Sequence, residues 1–410
     1  MANVYDILVE RGFVKDCSDE RGLRAALEKP ITLYVGYDPT ASSLHVGNLL
    51  TVMALVWMQR HGHRPIALVG GGTGLVGDPT GRATGRSILT YEQIEENLQG
   101  QKVQLQRYLD FSEGRALIIN NAEWLTKLNY LEFLRDVGVY FSVNQMLSME
   151  TYKTKLESEA GLNFLEFNYS LLQAYDFLTL YRRYGCVLQM GGSDQWANSL
   201  AGADLIRRIE GSQAYVLVTP LLTTSSGAKM GKSQSGSVWL DAGRHSPYDY
   251  YQFWINTEDP DVERFLALYT FLPMEEVRRL GQLEGSELRK AKEVLALEAT
   301  RLTHGEEAAK EALAASHALF GGDAGSMEGV PTTQMAAGEL AEGIPASQLL
   351  AQVGLASSRG EARRLIQQGG AYVNGERIET VEQTITPNNL VEGSLFLRVG
   401  KKKYHRVVVA

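Results

Sequence analysis

Apolar positions along this chain alternate between strand-like runs and helical stripes. Ile31 to Val35 is β-branched and apolar, Gly36 to Ser43 is turn chemistry, and Leu49, Leu50, Val52, Met53, Val56 and Trp57 recur at helical spacing. The pattern predicts a strand, a loop and the start of a helix. Upstream, Val4, Ile7, Leu8 and Phe13 mark one helix, and Leu23 to Leu27 a second ending at Pro30. Downstream come a strand over 65–69, a polar helix from about Tyr91 to Leu109 and a strand over 116–119 with Asn120-Asn121 at its end. Leu171, Leu172, Tyr175, Phe177 and Leu178 then give a helix, and Cys186 to Met190 another strand. Strands alternating with helices predict a parallel α/β sheet. From 247 to 320 the period is helical throughout, which predicts a separate small bundle. Residues 321–343 are rich in Gly, Ala and Ser and read as a linker. Short helices and a hairpin turning at Asn374-Gly375 follow over 344–410.

At 410 residues, 44% hydrophobic and 21% charged, the chain has the composition of a globular protein of two or three domains. Its net charge of −8 argues against nonspecific nucleic-acid binding by the whole surface, while leaving room for a local basic patch. Two cysteines, Cys17 and Cys186, form no readable disulfide framework or zinc site, and no window reaches the ~18 apolar residues of a membrane span. A cytoplasmic protein with no membrane partner is expected.

Candidate chemistry gathers at strand ends. The junction Gly36 to Asn48 should aim backbone N–H groups and a positive helix end at a ligand above the strand, with phosphate the usual occupant. Thr40 and His45 add donors there, and Gly47 keeps the backbone bare. Gly72-x-Gly74-x-x-Gly77 formally matches a dinucleotide fingerprint, but Asp78-Pro79-Thr80-Gly81 halts the helix such a motif must open, so a binding loop is expected instead. Tyr169, Gln173 and Asp176, spaced by four and three, share one helix face and suit a pocket wall. Gly192-Ser-Asp194-Gln195 ends a strand, where open α/β sheets bind ligands. Lys229-Met230-Gly231-Lys232-Ser233 places two lysines three apart in a loop of small residues. Taken singly, each stretch also reads as a capped helix, core packing or a solvated loop.

Their order is more specific. His45-Val-Gly-Asn48 resembles the HIGH motif of class I aminoacyl-tRNA synthetases, Lys229 to Ser233 resembles KMSKS with Gly231 for its first serine, and YxGxDPTAxSLHxGN resembles the tyrosyl enzymes. SRGEARRLIQQGGAYVNGERI resembles the small RNA-binding domain that bacterial members carry. The resemblance implies a class I Rossmann-like parallel α/β sheet in residues 1–222, a mobile KMSKS-type loop and connection over 223–246, a helical tRNA-binding domain over 247–320, the linker over 321–343 and an α+β RNA-binding domain over 344–410. It further implies tyrosine activation by ATP with Mg²⁺ and transfer to tRNA(Tyr), by a homodimer paired through Val143 to Phe167, with no metal site of the protein's own. Catalytic roles fall to Thr40, His45, Lys229, Lys232 and Ser233, and tyrosine contacts to Tyr34, Asp78, Tyr169, Gln173, Asp176 and Gln195. ATP contacts fall to Gly36, Asp38, Gly47, Asn48, Gly192, Asp194, Met230 and Lys232, with Arg82 and Arg86 on a segment near pyrophosphate. RNA contacts fall to Arg359, Arg363, Arg364, Arg377, Lys401, Lys402 and Lys403. Two alternatives stay open: the tryptophanyl enzymes, which share fold and motifs but are disfavoured by Tyr34 and Asp176, and a noncatalytic RNA-binding paralogue.

Overall fold

The computed structural model describes all of the chain except residues 1–2, 81–88, 160, 228–229, 234–235, 321–330, 392, 401–402 and 410. It divides into two compact units, residues 1–241 with 258–291, and residues 242–257 with 292–410.

The first unit is built on a six-stranded sheet, β1 (Asp16–Cys17), β2 (Thr32–Tyr37), β3 (Arg64–Val69), β4 (Leu117–Asn120), β5 (Cys186–Gly192) and β6 (Tyr215–Thr219), in the order β1-β6-β5-β2-β3-β4. All pairings are parallel except that of β1 with β6. From β2 the chain winds to β3 and β4, then returns to place β5 on the other side of β2. That reversal opens a crevice beyond the carboxyl ends of β2 and β5, where ligands bind in such sheets. The helix Val46–Arg60 runs straight from the loop after β2 and buries ten of its residues, which explains why its apolar pattern is nearly continuous. Helix Val262–Tyr269 packs against it, and Phe271 meets Trp57 edge-on at 5.3 Å. Arg11, only 4% exposed, donates to the carbonyls of Ala267 and Thr270 and lies 4.1 Å from the Trp57 ring.

These contacts correct the expectation of one bundle over 247–320. The stretch is split because helix Val262–Tyr269 packs on helix Val46–Arg60 of the first unit, whereas helices Pro247–Ile255 and Glu306–Phe320 pack on one another in the second unit. There Gln252 donates to Ser316 at 3.2 Å and Thr303 to the Tyr250 hydroxyl at 3.0 Å.

After two short paired strands, β7 (Lys232–Ser233) and β8 (Gly236–Ser237), the remaining strands belong to the second unit. They are β9 (Thr332–Met335), β10 (Ile344–Pro345), β11 (Ala371–Val373), β12 (Glu376–Arg377), β13 (Thr384–Ile385), β14 (Ser394–Val399) and β15 (Lys403–Val409). Five form a sheet in the order β12-β11-β14-β15-β9, and β10 pairs with β13. Helices Ala346–Gln352 and Arg359–Gln367 cover a core that includes Leu349, Ile366, Ile378 and Leu395. Asn374 and Gly375, at φ 49° and 85°, make the two-residue turn expected between β11 and β12. The linker is shorter than composition suggests: residues 332–335 and 337–341 are strand and helix, the strand held by parallel pairing with β15. No helix among the described residues is long and apolar enough to cross a membrane.

Candidate functional site

A cavity of about 400 Å³ opens at the carboxyl ends of β2 and β5. Its wall brings together Tyr34, Gly36, Asp38, Thr40, His45, Gly47, Asn48, Asp78, Tyr169, Gln173, Asp176, Gly192, Asp194, Gln195 and Met230. These are all the residues expected to hold tyrosine or ATP apart from Lys232. Lys229 lies outside the described residues, as do Arg82 and Arg86, and of the loop after Gly231 only the backbone pairing of β7 with β8 is described.

The loop end of the cavity is shaped by backbone. Gly36 is exposed within an otherwise buried central strand, and a Cβ there would meet no protein atom within 4 Å, so the strand presents bare main chain to the cavity. His45 caps the Val46 helix, with its N–H donated to the Asn48 side chain at 3.1 Å. Its ring folds back over Gly47, whose Cβ would lie 2.8 Å from Cε1 of His45. Gly231 and the stretch from Val238 to Leu240 settle on this same turn. Val46 N–H donates to Val238 O, Leu240 N–H to Leu44 O and Val238 N–H to Gly231 O, each at 2.9 Å. Gly231 has φ +83°, and a Cβ on it would sit 2.8 Å from the Gly47 nitrogen. Glycine in place of the motif's serine is therefore what this close, left-handed approach requires.

The deep end is polar and enclosed. β2 continues to Tyr37, two residues past the Val35 at which the apolar run gives way to turn chemistry, so Tyr34 lies inside it. The residue is 1% exposed, and its hydroxyl has no hydrogen-bond partner among the described residues. Burial, with Asp176 nearby, pushes its pKa well above the usual tyrosine value, so it remains a donor. Asp176, 2% exposed, accepts from Trp124 Nε1 at 2.7 Å and from Asn121 Nδ2 at 2.8 Å. The Asn121 amide is oriented by Gly72 N–H, which donates to its Oδ1 at 2.7 Å. Burial pushes the Asp176 pKa up to about 7, against the two hydrogen bonds that lower it. Because one partner is an indole N–H and the other an oriented amide N–H, both can only donate, and the geometry favours the carboxylate.

Between the two ends, Gln195 Nε2 donates to Asp78 Oδ2 at 2.7 Å, while Tyr169 donates to Asp38 Oδ2 at 3.2 Å and Thr73 to Asp38 Oδ1 at 3.0 Å. Asp38, expected with ATP, thus turns its carboxylate toward the tyrosine-side residues. Four aspartates, Asp38, Asp78, Asp176 and Asp194, face one cavity and suit a cationic group on its occupant. Sequence reasoning missed Asn121, Trp124 and Thr73. Asn121 stood out only as polar at a strand end, and Trp124 gave no local signal.

On the second unit, Arg359, Arg363 and Arg364 are exposed on one nine-residue helix, with Arg377 and Lys403 exposed on β12 and β15. Lys401 and Lys402 lie outside the described residues.

The model of the family described as tRNA synthetases class I (W and Y) matches residues 26–321, and that of the tyrosine–tRNA ligase SYY-like C-terminal domain matches residues 324–407. A tyrosine–tRNA ligase of Desulfosudis oleivorans is 55% identical over 99% of each chain, and one of Desulfatibacillum aliphaticivorans 52% identical over 100% of this chain and 99% of its own. Among solved structures, a C-terminally truncated mitochondrial tyrosyl-tRNA synthetase of Aspergillus nidulans matches 78% of this chain and 95% of its own with TM-score 0.71 and 34% identity. Identity above one half along whole relatives, two family models end to end and the cavity at the sheet's switch point agree: the chain belongs to the tyrosine–tRNA ligases of the class I tRNA synthetase family.

Proposed function

We propose that the cavity activates L-tyrosine with ATP and that the chain then passes tyrosine to the 3′ end of tRNA(Tyr). One observation carries the choice of amino acid: a buried carboxylate, Asp176, and a buried hydroxyl without a partner among the described residues, Tyr34, line the same deep pocket. A phenol can donate to the first and accept from the second, which the side chains of phenylalanine and tryptophan cannot both do. Selectivity of this kind comes from the cost of a mismatch: an analogue lacking the hydroxyl leaves the site's buried polar groups unpaired.

Asp78, Tyr169, Gln173 and Gln195 would hold the substrate's ammonium. Its carboxylate oxygen attacks the α-phosphorus of ATP, a new P–O bond forms, and the bond to the bridging oxygen breaks to release pyrophosphate. Gly36, Gly47 and Asn48 leave room for ATP at the loop end, while Gly192 and Asp194 reach its ribose and Met230 closes the wall. Mg²⁺ travels with the nucleotide as part of the substrate. Thr40, His45, Lys229, Lys232 and Ser233 would stabilise charge developing on the phosphates, so rate comes from positioning and electrostatics and not from a covalent nucleophile. In the second step a ribose hydroxyl of the tRNA attacks the tyrosyl carbonyl and AMP leaves. The exposed arginines of the terminal domain, with Lys401 to Lys403, would grip RNA phosphates in the cytoplasm, where the tRNA pool lies. Pyrophosphate exchange with each of the twenty amino acids tests the assignment. Exchange driven best by tryptophan, or by none, overturns it.

A homodimer completes the proposal. Val143, Leu156, Phe164 and Leu165 are exposed large apolar side chains, Phe164 by 66%, within a span of 23 residues. Such a surface is costly in a monomer and suits a twofold interface. Sedimentation should show a dimer that Phe164→Asp dissociates; a monomeric wild type refutes it.

A further inference from the structure

The helix Tyr91–Tyr108 turns amides, not charges, toward the loop that precedes His45. Gln104 accepts from Leu44 N–H at 2.8 Å through Oε1 and donates to Ser43 Oγ at 2.9 Å through Nε2. Gln101 Nε2 donates to the Ala41 carbonyl at 3.1 Å and to that of Asp38 at 3.3 Å, and Asn97 Nδ2 donates to the Pro39 carbonyl at 2.9 Å. Positions 97, 101 and 104 are four and three apart, so the three amides stand on one face. Gln101 and Gln104 are 2% and 3% exposed, which makes their bonds to the loop bonds they cannot exchange for water. Among the described residues the main-chain bond internal to 38–44 is Thr40 N–H to Asp38 O at 2.8 Å, and Leu44 O accepts from Leu240 N–H. The helix passes the loop at Gly100, where a Cβ would lie 2.0 Å from the Ser42 carbonyl oxygen.

We propose that Gln104, supported by Gln101 and Asn97, is a positioning residue for adenylate formation, holding the loop so that Thr40 and His45 stand in register with the phosphates of ATP. This rests on reading the loop as the ATP site. Gln104 does not line the cavity. It acts through main chain next to groups that do, and misplacement of such groups by about 1 Å can cost on the order of 10²-fold in rate.

The test is single-turnover formation of the adenylate, with tyrosine affinity measured by equilibrium titration, for Gln104→Met, Thr40→Ala and the double variant. Methionine keeps the length and removes both bonds. Gln104→Met should slow the step by about tenfold or more and leave tyrosine affinity within about twofold. The loss should shrink several-fold in the Thr40→Ala background, because the group being positioned is already gone. Gly100→Ala provides a second approach if Gln104→Met does not fold. It removes no hydrogen bond, raises helix propensity and must push the loop away, so it should also slow the step without weakening tyrosine binding. An unchanged rate in either variant, or a loss that multiplies in full through Thr40→Ala, overturns the proposal and leaves ATP on the loop. A silent Thr40→Ala instead removes ATP from the loop, and the positioning role falls with it.

Discussion

Replacing Tyr34 with phenylalanine should move stability and selectivity in opposite directions. The Tyr34 hydroxyl is beyond the reach of solvent and has no partner among the described residues. A buried polar group left unsatisfied costs about 1–3 kcal/mol, so deleting its oxygen should stabilise the unliganded protein by roughly 1 kcal/mol. On the proposed reading, the same hydroxyl would gain a neutral hydrogen bond to the phenol of bound tyrosine, with a net contribution of about 0.5–1.5 kcal/mol. Tyr34→Phe should therefore lower kcat/KM for tyrosine by roughly 2- to 12-fold, taking 1.4 kcal/mol as a factor of ten. For phenylalanine, which has no hydroxyl to lose a bond, kcat/KM should hold or rise. Two assays decide it: urea unfolding with and without tyrosine, and pyrophosphate exchange with both amino acids. The midpoint should rise without ligand, and the shift produced by tyrosine should shrink. A variant less stable than wild type, or equally selective, would show that Tyr34 does not face the substrate phenol.

Four further outcomes are expected. Asp176, pushed by burial to about 7, takes up a proton as pH falls through that value, so tyrosine should bind more weakly by up to tenfold per pH unit below it, while phenylalanine binding to the wild type stays flat; equal slopes for the two amino acids in titrations from pH 5.5 to 8.5 would refute this. The raised pKa also means that this group's contribution to the unliganded fold is present below about pH 4 and is lost as pH rises through 7, so Asp176→Asn should gain stability relative to wild type at pH 8 compared with pH 5. Lys229→Ala and Lys232→Ala should each slow adenylate formation by roughly 10²-fold with little change in tyrosine affinity, and stopped-flow rates equal to wild type would remove the loop from the chemistry. Truncation after Gly321 should leave pyrophosphate exchange intact and abolish most tRNA charging, which in the full chain should weaken with salt; undiminished charging would make the terminal arginines bystanders.

What could be read before folding was whatever is local. The run from β2 into the Val46 helix, the spacing of Tyr169, Gln173 and Asp176, and the turn at Asn374-Gly375 each lie within a few residues, where period and turn chemistry act. The support of Asp176 could not be read, because Trp124 and Asn121 stand 52 and 55 residues away and meet it only through the sheet. The Tyr91 helix misled in another way: its glutamines look solvated, yet Gln101 and Gln104 are buried against backbone. β9 was hidden by its polar sequence TTQM, since what makes it a strand is an edge pairing with residues 406–409. Its partner lies some 70 residues on, beyond any local window.

Each of the two large sheets is finished by a strand that must wait for a distant one. β1 pairs with β6, roughly 200 residues later, so at the ~5–20 residues per second of synthesis it stays single for roughly 10–40 s while the ribosome works. β15 (Lys403–Val409) is what joins β9 to β14. Until residues 403–409 have emerged from the ribosome's exit tunnel, that sheet cannot close. β9 therefore has no strand to pair with for about 4–15 s at the same pace of synthesis, until β15 arrives.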